Sequence, residues 1–230
     1  MIVSVIQSNY IPWKGYFDII HDSDVFVFYD DVQYTKNGWR NRNKIKTPKG
    51  ASWVTIPVGS HLDKLVCEIE LNNDSWQKKH WLTIEQFYSK APHFDEYKDF
   101  FSDFYLGSKW ESLSILNQHL IKNIASDFLG IKTKFMDSRD FDLNGCNVER
   151  LICLLRKIGA DTYISGPAAK NYIIDDIFEK EGIRLVYKDY TQYPEYSQFH
   201  PPFDHNVSII DLLFHAGPDA PDYIWGWRDK

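Results

Sequence analysis

Residues 6–47 read IQSNYIPWKGYFDIIHDSDVFVFYDDVQYTKNGWRNRNKIKT. A short apolar run, residues 2–6, leads into them. A polar turn holding Tyr10, Pro12 and Gly15 follows, then an amphipathic piece at residues 16–21 and a second apolar run at residues 25–29. Two runs too short for helices, separated by a helix-sized piece, predict a βαβ unit with parallel strands. The second run stops at Asp30, Asp31 and Gln33, and Trp39, Arg40 and Arg42 come next. Open α/β sheets place their ligand crevice beyond the carboxyl ends of the strands. The candidate site therefore lies after the first and second strands.

Within that stretch each residue type suggests a role. A carboxamide at Gln7, ending the first strand, suits reading a sugar or base edge. Tyr10 and Tyr16 combine an apolar face with a polar tip, which suits stacking or bonding a ligand. Arg40 and Arg42 alternate with Trp39, Asn41 and Asn43, so an extended chain would put both guanidiniums on one face. Paired guanidiniums recognise phosphate. The surrounding residues 36–49 are basic and contain no acid, and read as a charged loop.

Further along, residues 53–58 and the alternating residues 66–71 predict two strands, paired as a hairpin. Helices are predicted at 76–88, 95–105 and 111–129, and a strand at 131–136. Residues 147–158 form the next helix, stopped by Gly159. A strand at 161–165 ends in Ser165-Gly166-Pro167, before a helix over 168–181 and a strand at 183–187. A glycine turn opening a helix can hold an anion on backbone amides, which makes Ser165 and Gly166 candidates. The aromatic residues 190–204 read as an ordered loop wrapping the body, 208–215 as a short helix, and the tail as surface. The expected fold is α/β: a Rossmann-like parallel sheet in a single domain, residues 1–230, with a β-hairpin/helical insertion at about 53–129.

Composition narrows the function classes. Of 230 residues, 43% are hydrophobic and 25% charged, and the net charge is −6. That balance supports a core and argues against a nucleic-acid coat. No run has the length of a membrane span, and the N-terminus lacks a signal-peptide pattern, so a cytoplasmic protein without membrane insertion is expected. The three cysteines, Cys67, Cys146 and Cys153, form no CxxC pair. His200, Asp204, His205, Asp211 and His215 match no compact ligand motif, so no metal site is expected. P-loop, GxGxxG and GxSxG patterns are absent.

Gln7, Tyr10-x-Pro12, Gly15-Tyr16, Asp30-Asp31-x-Gln33 and Trp39-x-x-Arg42-Asn43 together resemble the WbqC-like family. The likeness continues through residues 53–58, Lys90-Ala91-Pro92, Ser165-Gly166, Tyr172 and Tyr196 to residues 208–217. Ser8 stands where the family frequently has Pro, and His215 where it often has Asn. The resemblance implies a place in O-antigen or surface-glycan biosynthesis, with transfer of glycine or another acyl group to an amino sugar. Residues 6–30 also resemble the opening of nucleotidyltransferase and pantothenate-synthetase (HUP-like) folds, with Tyr16 where their second histidine stands. That likeness implies nucleotide binding above the first strand and leaves adenylation of a carboxylate open.

Amide formation needs an amine deprotonated at the reacting moment and a stabilised oxyanion. The resemblance thus casts Asp30, Asp31 and Gln7 as catalytic candidates. Tyr10, Gly15, Tyr16, Gln33, Trp39, Arg40, Arg42, Ser165, Gly166 and Tyr172 become ligand-binding candidates, with His80 and His205 as reserve bases. The expected partners are a nucleotide sugar and an acyl or aminoacyl donor. Whether the donor depends on ATP, acyl-CoA or an aminoacyl-tRNA stays open. A non-catalytic nucleotide-sugar or glycan-binding partner of another enzyme would use the same arginines and aromatics without needing a base.

Overall fold

The computed structural model describes residues 1–171 and 175–228. The chain opens with β1 (Ile2–Ile6), α1 (Lys14–His21) and β2 (Val25–Phe28), the expected βαβ unit. A two-stranded antiparallel hairpin follows, β3 (Arg42–Thr47) with β4 (Gly50–Thr55). Three helices come next: α2 (Ser75–Tyr88), α3 (Phe94–Ser102) and α4 (Leu113–Asn123), the last two each running on into a π-helical turn. The α/β alternation then resumes with β5 (Lys134–Asp137), α5 (Asn147–Ile158), β6 (Thr162–Ser165), α6 (Asp175–Lys180) and β7 (Arg184–Tyr187). α7 (Ile209–Ala216) closes the body.

The five parallel strands lie in the order β5-β2-β1-β6-β7, a Rossmann-like α/β sheet. The chain builds outward from β1 through β2 to β5, crosses back through α5, and builds outward again through β6 and β7. Its direction reverses between β1 and β6, and ligands of such sheets bind at that reversal. Both faces are covered, which is why β2 is apolar throughout. Val3, Val5, Val25 and Val27 share one core with Leu154 and Leu155 of α5 and Phe178 of α6. Phe26 and Phe28 point the other way, into a larger core shared with α1, α4 and α7. The helices α2 to α4 contribute to that same larger core.

Three expectations need correction. The hairpin lies at 42–47 and 50–55, not at 53–58 and 66–71. Val66 and Ile69 are the buried pair in the second segment, a spacing of three that belongs to the short 3₁₀ turn at Val66–Glu68. The helix expected at 168–181 is a 3₁₀ turn, Pro167–Asn171, followed by the short α6. The tail is not free surface. Arg228 bonds Asp18 and Asp22 of the α1 region, and Trp225 stacks on His21 with ring centres 4.0 Å apart.

The aromatic loop does wrap the body, and two buried carboxylates anchor it. Tyr193 donates its hydroxyl to Asp18 (2.6 Å). Tyr196 and Gln198 donate to Asp211 Oδ1 at 2.6 and 2.8 Å, and Tyr88 donates to the other oxygen at 2.8 Å.

Candidate functional site

A cleft of about 850 Å³ opens at the carboxyl edge of the sheet. Its walls are the end of β1 with Gln7, the segment after β2 with Tyr29, Asp31 and Gln33, Tyr163 of β6, and the start of α5 from Gly145 to Leu151. Gln7, Asp31 and Gln33 thus meet in one place. Gln33 is fixed by donating to the Leu62 carbonyl at 2.5 Å.

The principal cation of this cleft is Arg150, one turn into α5. Its guanidinium donates to Asp31 Oδ2 (2.5 Å) and lies over the Tyr29 ring, 5.2 Å from the centroid. Ser138 donates to the other Asp31 oxygen. One terminal nitrogen of Arg150, Nη1, is enclosed and has no hydrogen-bond partner among the described residues. The bond to Asp31 holds Arg150 even further above its ordinary range, so it carries a permanent charge. Burial raises the Tyr29 phenol, against the pull of Arg150. The first-turn N–H groups of α5 face the same edge, and a helix start leaves such donors without intrahelical acceptors. Sequence reasoning passed over Arg150 and Tyr29. The available signal was α5 itself, since a helix leading into β6 must begin at the ligand edge of the sheet.

Asp30 has a different place. It is fully buried and accepts three hydrogen bonds: from the Ser8 backbone N–H (2.7 Å), the Ser114 hydroxyl (2.5 Å) and the Gln118 amide (3.1 Å). It joins the ends of β1 and β2 to α4 and does not line the cleft. Gln118 continues the chain of bonds to Asp137 Oδ2 (2.8 Å). Asp30 therefore positions the cleft walls from behind.

Tyr10 and Tyr16 are also interior. Tyr16 donates to the Gln7 carbonyl (3.0 Å), which fixes the end of β1. Tyr10 is bonded to His80 Nδ1 (2.8 Å) and the Tyr105 hydroxyl (2.6 Å). The Thr55 carbonyl accepts from His80 Nε2–H (3.1 Å), so Nδ1 is left to accept from Tyr10. Gly15 serves packing: a Cβ there would overlap the Trp13 ring.

His80 provides a test of this interior network. Burial lowers its pKa to about 4, while the unfolded chain titrates near the ordinary value of about 6.5. Between those values the unfolded state binds the extra proton, so stability falls as pH falls. The contribution is complete above about pH 6.5 and spent near pH 4, roughly 3 kcal/mol in all. Thermal unfolding followed across that window should decline less steeply for His80→Gln than for the wild type. Equal slopes would contradict the assignment.

Arg40 and Arg42 do not line the cleft and do not share one extended face. Arg40 sits in a turn and donates to the Asn9 carboxamide oxygen. Burial lowers its pKa, with Tyr16 and Asp30 offsetting. Arg42 opens β3, bonds the Asn37 carbonyl and lies 4.1 Å over the Trp53 ring. Trp39 packs on Trp53, ring centres 5.3 Å apart. Ser165 is buried at the end of β6, within 3.4 Å of the Tyr163 hydroxyl. Gly166 opens a 3₁₀ turn rather than an α-helix, so the expected helix-start anion site is not formed. Tyr172 lies outside the described residues.

Among the described residues, no group of three or more His, Cys, Asp or Glu side chains is placed to hold a metal ion. No helix among them is long and apolar enough to cross a membrane. Comparison with known proteins adds the lineage. No solved structure matches the chain. The uncharacterized protein Rv1507c of Mycobacterium tuberculosis is 43% identical over 224 residues, covering 96% of each chain. The WbqC-like family model matches residues 7–223, from Gln7 through the helical segment to α7 and beyond, and the chain belongs to the WbqC-like protein family.

Proposed function

We propose that the protein is an acyl- or aminoacyl-transferase that forms an amide on a nucleotide-linked amino sugar, for O-antigen or another surface polysaccharide. The observation that carries this reading is the content of the cleft. At the reversal point of a Rossmann-like sheet stand a permanent cation, Arg150, a carboxylate, Asp31, and two carboxamides, Gln7 and Gln33. Family membership supports the glycan context.

Arg150 and the first-turn amides of α5 would take the phosphates. Gln7 would orient the sugar amine. The amine nitrogen attacks the acyl carbon, the donor's leaving group departs, and Asp31 receives the amine proton. A phosphate that draws Arg150 away from Asp31 frees one carboxylate oxygen, so binding of the nucleotide sugar prepares the base.

One observation favours a second reading. Both Asp31 oxygens already have partners, Ser138 and Arg150, which also suits a non-catalytic nucleotide-sugar-binding protein. A mass-spectrometric assay separates the two. Purified protein is offered a panel of nucleotide-linked amino sugars, with glycine and ATP, acyl-CoA, or aminoacyl-tRNA as donor. A mass gain matching an amide supports transfer. No gain with any pair, together with a thermal shift from the nucleotide sugar alone, supports the binding reading.

A further inference from the structure

Two residues beyond Gln7, Asn9 lines a second, smaller pocket of about 240 Å³, walled by Pro12, Trp13, Trp39, Asn43 and Asn206. The volume is below the ~300–1,000 Å³ of sites for drug-sized ligands, so it suits a single ring. Among the described residues its lining has two indoles and three carboxamides, and no ionisable side chain. No charged side chain in that lining meets a charged ligand directly, since Arg40 stands behind Asn9, and an aliphatic ligand would strand the amides. A ring with an apolar face and a rim of hydroxyls satisfies both wall types.

The pocket is built by contacts between distant segments. Tyr10 N–H donates to the Trp39 carbonyl (3.0 Å), Ser208 N–H to Lys44 (2.8 Å) and Ile209 N–H to Pro12 (2.9 Å). Trp13 is held in place by Gly15 beneath it and by the edges of Tyr190 and Tyr193, with ring centres at 5.0 and 6.0 Å. Trp39 remains 43% exposed, leaving ring surface for a ligand. A guanidinium only donates, so the bond from Arg40 fixes the Asn9 oxygen towards Arg40. Asn9 Nδ2 then has no acceptor among the described residues. The Asn206 side chain is exposed and likewise has no hydrogen-bond partner among them. Asn43 is already committed to the Tyr10 and Ile11 carbonyls and serves as wall.

We propose that this pocket binds one neutral sugar ring, stacked on Trp39 and Trp13, with its hydroxyls bonded by Asn9 Nδ2 and the Asn206 carboxamide. Gln7 and Asn9 are at most ~7 Å apart along the backbone, so the pocket and the cleft flank one turn. That the ring is the sugar of the phosphate-bearing substrate rests on the transfer reading; ring binding by itself does not.

The test is saturation-transfer NMR on the full chain with methyl glycosides of neutral hexoses, 6-deoxyhexoses and N-acetylhexosamines. At least one should take saturation at its ring protons. Trp39→Ala should weaken its Kd about 10-fold or more, and Asn206→Ala about 3-fold. Both side chains are on the surface, and thermal unfolding checks that each variant folds. The proposal is overturned if no glycoside binds at millimolar concentration, if Trp39→Ala binds as the wild type does, or if uridine, thymidine or adenosine displaces the glycoside. Glycoside binding without any transfer activity would refute the transferase reading and leave this site standing.

Discussion

Asp31→Asn is expected to bind the nucleotide sugar about as the wild type does, yet turn it over about 10²–10⁴-fold more slowly, the usual cost of removing a positioned base. Asp31 is the carboxylate that lines the cleft, whereas Asp30 is enclosed. The carboxamide keeps the size of the side chain and can still accept from Ser138, so the local fold should hold. It cannot take a proton from an amine at neutral pH. The fall should appear in kcat more than in KM. A variant with unchanged kcat would place the base elsewhere. A variant that no longer binds would make Asp31 a partner for Arg150 and nothing more.

Asp30→Ala is expected to destabilise the fold by about 3 kcal/mol or more. Its three donors differ in what they can do afterwards. Gln118 retains Asp137, and the Ser114 hydroxyl can rotate, but the Ser8 N–H is stranded in the interior. A stranded buried donor costs about 1–3 kcal/mol, and the vacated space adds to that. For a chain of this length each kcal/mol moves Tm by about 2–4 °C, so a fall of roughly 6–12 °C is expected. Asp30→Asn should recover part of it, because one oxygen can still accept from Ser8. A fall within about 1 kcal/mol of the wild type would show that Asp30 does not tie β1 to α4. Because Gln7 immediately precedes Ser8, the same variant should also loosen the cleft wall.

These two adjacent aspartates show what the chain alone makes legible. Their position after an apolar strand was readable, since βαβ periodicity in residues 2–29 is strong and local. Which of the two faces ligand was not, because that depends on α4, more than eighty residues away. α5 was readable to its ends, bounded by Gly159 in the left-handed region at φ 80°. Nothing local marks Arg150 on that helix; only the sheet order brings the helix start beside the end of β1. The hairpin was misplaced for a related reason. Residues 42–47 include Asn and two Lys, which have low strand preference, and their pairing is decided by residues 50–55 and by packing on Tyr88 and α7. The second pocket needs residues 9–13, 39–43 and 206 together, and no local pattern announces it.

The measurement closest to the central claim is a calorimetric titration of a nucleotide-linked amino sugar into the wild type and into Arg150→Ala. If the cleft between β1, β2 and α5 holds the phosphates, the variant loses a charge-assisted contact, about 1.5–3 kcal/mol, and Kd rises roughly 10-fold to 150-fold. Arg40→Ala and Arg42→Ala, which lie outside the cleft, should each cost less. Equal affinity for wild type and Arg150→Ala, or a larger loss at Arg40 or Arg42, would contradict the account and move the phosphate site to the basic turn before β3.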